Sequence, residues 1–197
     1  MKLFLLLVIP LLAFNLIPSR PMNNYSFWVD NRFSPKQLQM IREGIDLWAN
    51  NNGKRTNIAA VTRLDKVVNG DGIPMIVSSE SVSVATTIVN SQFADDLLFH
   101  ITDADITLNT VVLGNTNQFF NAFLHELGHA QGLYHNAIKG SIMNVTIYFD
   151  ANTSKASPID PKYGLHIDDI FACYYARHTL KYEKLSRSDV NRVEYRS

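Results

Sequence analysis

The chain has 197 residues, 46% of them hydrophobic, and its 18 basic and 18 acidic side chains cancel to a formal charge of zero. That length allows one domain with a full apolar core, and the balanced charge gives no electrostatic footprint for a nucleic-acid partner. The single cysteine, Cys173, excludes an internal disulfide, so stability must come from the core and from any bound metal.

The N-terminus reads as an address. Lys2 supplies a positive charge, Leu3 to Phe14 is an unbroken apolar run, and Pro18 and Ser19 precede Arg20. The run is too short to cross a bilayer comfortably, so residues 1–19 are expected to be a cleaved secretory signal. A secreted chain with no remaining membrane span follows, the alternative being an uncleaved anchor. Asn24, Asn144 and Asn152 stand in Asn-x-Ser/Thr sequons, a weak sign of the same route.

Tyr25 to Val29 is a short strand candidate with aromatic character. Ser34 and Pro35 open a helix as cap and first helical residue, and Leu38, Ile41, Ile45 and Trp48 form its buried stripe. Asn50 to Gly53 ends it. Strand-like runs follow at Thr56 to Leu64, Gly72 to Ser78 and Ser83 to Asn90. Leu97 to Ile101 and Ala104 to Thr110 read as two more, with a turn at Thr102-Asp103. Asp95, Asp96, Asp103 and Asp105 are the carboxylates available to a calcium ion, but nothing else supports such a site and they read as solvated turns.

Next comes an apolar helical stretch, Phe119 to Leu127, with N-cap candidates at Asn115, Thr116 and Asn117. It carries His125, Glu126 and His129. Positions i and i+4 share a helix face, so His125 and His129 can offer two imidazoles to one ion. Glu126 then lies close enough to act on a water at that ion. Gly132 can end the helix with a positive φ and return the chain so that His135 becomes a third ligand. Three neutral histidines leave a fourth position for water, the layout of a catalytic zinc site.

Met143 lies eight residues past His135, and a loop from Gly140 to Gly164 leads to a last helix near Ile167, through Asp168, Asp169, Ile170, Cys173 and Tyr174. Cys173 sits in an apolar stretch and reads as a small buried hydrophobe. The polar end from Lys181 reads as helix extension or tail. The domain expected is thus 20–180, followed by a tail at 181–197.

The long histidine motif followed by Met143 closely resembles the metzincin metalloproteases, and the element order resembles their matrixin branch. The likeness covers about Tyr25 to Tyr175 and is specific around residues 125–143. It implies an α+β metzincin (zincin-like) fold: a twisted, mostly parallel five-stranded sheet, three main helices and zinc in the cleft. It also implies that Met143 forms an apolar floor under the metal. An aspartate of the Asp168-Asp169 pair would lock the last helix to the active-site loop, although two acids at a helix N-terminus need no such role. Substrate would pair with an edge strand at Val84, Ala85, Thr86 and Thr87, and Val145, Thr146, Ile147 and Tyr148 would line the pocket after the cut. Only His100 falls where matrixins carry a second, structural zinc, which leaves that ion without support. Residues 20–24 hold no cysteine of the kind that blocks the zinc in latent family members.

The expectation is therefore a monomeric, secreted zinc endopeptidase acting on extended polypeptides, with Glu126 as general base. Two other classes stay open: an inactive metzincin-fold binding protein, and a membrane-anchored structural or envelope protein with a structural zinc.

Overall fold

The computed structural model describes residues 25–52, 56–65, 67–93, 99–114, 116–138, 140–144, 165–170, 172 and 192–196. The expected signal segment, Cys173, and the pocket candidates Val145, Thr146, Ile147 and Tyr148 lie outside them.

Two helices and six strands follow in chain order: β1 Ser26–Asp30, α1 Pro35–Asn52, β2 Asn57–Thr62, β3 Met75–Ser78, β4 Ala85–Phe93, β5 Phe99–Leu108, α2 Thr116–Ala130 and β6 Arg192–Arg196. A third helical segment includes residues 167–170. The sheet order is β2-β1-β3-β5-β4-β6. The first four strands in that order pair in parallel, and β4 runs antiparallel to β5. Five strands thus make the expected mostly parallel sheet, and a sixth is added at its end.

Helix α1 starts where its sequence says it should. The Ser34 side chain accepts a hydrogen bond from the Gln37 amide at 3.3 Å, and Gln37 Oε1 accepts one from the Ser34 amide at 2.9 Å. This reciprocal capping box satisfies two amides that a helix end leaves open. The buried stripe of Ile41, Ile45 and Trp48 packs on α2. There a side chain on Gly44 would meet the Phe123 ring at 2.7 Å, and Trp48 Nε1 donates to the Leu124 carbonyl at 3.1 Å. The close approach of the two helices depends on Gly44 having no Cβ.

Three expectations are corrected. Thr102-Asp103 is not a turn, because β5 is one strand from Phe99 to Leu108. Its register to β4 jumps from Asn90↔Asp103 to Ser91↔Ile101, leaving Thr102 as the extra residue of a bulge. The polar residues there bend a continuous ladder instead of ending it. Asp103 and Asp105 consequently lie in the strand with 0% and 1% exposure, not in solvated turns.

The third correction concerns the chain end, where residues 192–196 are neither helix nor tail. Arg192-Val193-Glu194-Tyr195-Arg196 alternates β-favouring and charged residues, and it pairs antiparallel with β4 from Thr86↔Arg196 to Asn90↔Arg192. Hence β4 lies one strand in from the sheet's end.

Candidate metal centre

Helix α2 carries two of the three candidate ligands one turn apart. It ends in a Schellman cap: the Leu133 amide bonds the Gly128 carbonyl at 3.1 Å, and the Gly132 amide bonds the His129 carbonyl at 2.9 Å. Gly132 takes φ 89°, a conformation that a side chain disfavours. The reversal brings His135 back to face the helix.

The three Nε2 atoms converge. His125 and His135 are 3.0 Å apart, His129 and His125 3.1 Å, and His129 and His135 3.2 Å. Among the described residues, this is the one group of three metal-capable side chains that comes together. His125 Nδ1 donates to the Ile142 carbonyl at 2.7 Å and His129 Nδ1 to the Leu133 carbonyl at 2.8 Å. A carbonyl only accepts, so each Nδ1 carries the proton and each Nε2 presents a lone pair. Burial, as the leading cause, pushes His125 down to about 3 and holds His129 well below the usual imidazole range. Burial also lowers His135. All three are thus neutral at physiological pH, the form that binds a metal. Three inward-facing Nε2 atoms at such spacing fit a single zinc with Zn–N bonds of ~2.0–2.1 Å.

Glu126 is fully buried beside this cluster. Its Oε2 accepts a hydrogen bond from Thr87 Oγ1 at 2.6 Å, which ties the carboxylate to the first part of β4. Thr87 was expected only as part of a substrate edge. Its hold on Glu126 depends on how the sheet stacks against α2, which local spacing cannot reveal.

Beneath the cluster, Met143 is 1% exposed. A Cβ added to Gly128 would collide with Met143 Sδ and lie 3.3 Å from Trp48 Cζ2. Gly128 is therefore the gap in the helix that admits the methionine. The turn is fixed by Ser141, whose Oγ donates to Asp169 Oδ1 at 2.5 Å and accepts from the Met143 amide at 3.0 Å and Asn136 Nδ2 at 2.7 Å. Asp169 Oδ2 accepts the Ile142 amide at 2.9 Å. Asp169 thus ties the last helix to the turn, while Asp168 faces His166 at 2.9 Å. Burial raises the Asp169 carboxyl, and the Ser141 hydroxyl opposes that rise. Since the Ile142 carbonyl orients His125, this junction reaches the metal ligand through one residue.

A buried three-histidine cluster beside a glutamate, floored by a methionine turn, defines a metzincin-type metallopeptidase centre. The matrixin family model matches residues 46–171, and the chain belongs to that family. No curated protein sequence matches the chain.

Proposed function

We propose that the protein is a secreted zinc-dependent endopeptidase that hydrolyses extended polypeptides, acting as a monomer. The observation that carries this reading is the Nε2 triangle of His125, His129 and His135 with the Glu126 carboxylate on the same helix turn. His125, His129 and His135 would hold the ion. When bound, zinc supplies an acidified water and a positive charge opposite the developing oxyanion. Glu126 takes the proton of the attacking water and passes it to the departing amine. The Thr87 hydroxyl holds the carboxylate in place for both transfers. The peptide would lie extended, with backbone hydrogen bonds providing affinity that is independent of sequence.

An intact and hydrogen-bonded Glu126 supports an enzyme over an inactive binding protein of the same fold. Export rests on residues 1–19, and among the described residues no helix is long and apolar enough to cross a membrane. N-terminal sequencing of the exported product tests the address, and a retained Met1 would favour an anchor. Zinc quantification with quenched peptide libraries tests the chemistry. Stoichiometric zinc is expected, and Glu126→Ala should lower the cleavage rate by ~10²–10⁴-fold while keeping the metal. Protein that binds no zinc would overturn the proposal.

A further inference from the structure

Strand β4 touches the catalytic glutamate through the Thr87 side chain. One edge of β4 is taken by β5, so an extended peptide reaching Glu126 has only the other edge on which to pair. Strand β6 lies there. It runs antiparallel over five consecutive residues of β4, and Tyr195 stands opposite Thr87. The C-terminal part of the strand is therefore level with the residue that holds the general base. Its short alternating sequence, Arg-Val-Glu-Tyr-Arg, suits this place, since backbone pairing asks little of the side chains.

Resting on the peptidase reading above, we infer that residues 192–196 are a built-in strand that occupies the substrate-pairing edge and must leave before a polypeptide can bind. The binding-competent form is then the one with β6 displaced. Apparent affinity for substrate falls by the fraction of molecules in that form. Because the strand competes with substrate for the same backbone edge, its effect falls on KM and spares kcat.

The test uses the full zinc-loaded chain and the double variant Val193→Pro/Glu194→Pro. In an antiparallel ladder alternate residues bond to the partner strand, so one of two adjacent prolines removes a pairing N–H. The variant should show a KM at least ~10-fold lower on quenched peptides with kcat unchanged. The free peptide Arg-Val-Glu-Tyr-Arg should inhibit it competitively, and inhibit the wild type far more weakly. Equal KM values and no inhibition by the peptide would overturn the inference.

A second variant guards against misfolding. Ile88→Cys/Glu194→Cys in a Cys173→Ala background places thiols at paired positions, whose Cα separation of ~4.5–5.5 Å suits a disulfide. Oxidation should abolish cleavage and reduction restore it, whereas full activity when cross-linked would refute the role. If no form of the chain cleaves anything, the peptidase reading has failed, and the strand is judged by binding alone. Fluorescein-labelled Arg-Val-Glu-Tyr-Arg should then bind the proline variant and not the wild type, and failure to bind either sinks the inference separately.

Discussion

Asp169 and Asp105 are both carboxylates shut away from solvent, at 0% and 1% exposure, yet their surroundings treat them in opposite ways. Beneath the methionine turn, each oxygen of Asp169 accepts a hydrogen bond, one from Ser141 and one from the Ile142 amide. On β5, Asp105 accepts only the Met75 amide at 3.1 Å, and its second oxygen has no partner. Its neighbour Asp103 is in the same condition, bonded to the Gly70 amide through one oxygen and unpartnered at the other. Burial, reinforced by the Asp103 charge, pushes Asp105 up to about 8. The same residue type at the same depth is an anchor where its acceptors are filled and a cost where they are not.

Removing the anchor should have the largest effect. Asp169→Ala leaves Ser141 and the Ile142 amide without their acceptor, at an expected loss of ~2–4 kcal/mol. It should also weaken zinc affinity ~10–100-fold, because His125 loses its fixed carbonyl. Thermal unfolding and competition with a zinc chelator would measure both, and unchanged affinity would show that the junction does not reach the metal. Gly128→Ala attacks the same region from the other side by pushing on Met143, and ~1–3 kcal/mol of destabilisation is expected. Calorimetry would read it, and a neutral result would mean that the methionine turn yields easily.

At Asp105, with one oxygen unpartnered, removing the charge should stabilise the fold instead. Its folded-state pKa lies above the unfolded value, so between about 4 and 8 the folded chain holds the extra proton. Stability from this group is complete below that window and is lost as pH rises through about 8. Asp105→Asn should therefore match the wild type near pH 4 and exceed it by ~1 kcal/mol or more at pH 8.5. Denaturant titrations at the two pH values test this, and an Asn variant weaker at both would show that the carboxylate is partnered in solution.

The two regions were also unequally legible in the sequence. His125, Glu126, His129 and His135 could be named because helix periodicity and one glycine turn settle their meeting within a few residues of chain. Met143 as the floor of the site followed from the family resemblance, since a methionine alone reads as core filler. The choice between Asp168 and Asp169 could not be made, since it depends on the rotation of the last helix about its axis. Gly128 gave no signal by itself, because its need arises only when Met143 arrives from fifteen positions downstream. Around β5 the acids looked like a turn, because a bulge and a turn favour similar residues. Strand β6 was hidden by its charges, although Val193 and Tyr195 carry the two-residue period.

The Gly132 cap has a consequence for how the centre exchanges its ion. His125 and His129 are rooted in one helix turn and closed to water, whereas His135 is partly exposed and reaches the cluster only through the reversal at Gly132. A chelator arriving from solvent meets that outer donor first. The lifetime of the bound ion should then follow the stiffness of this single backbone bend more than the packing behind Met143. Stopped-flow release from Gly132→Ala, faster than from wild type, would register it, and the bend would act as the latch of the centre.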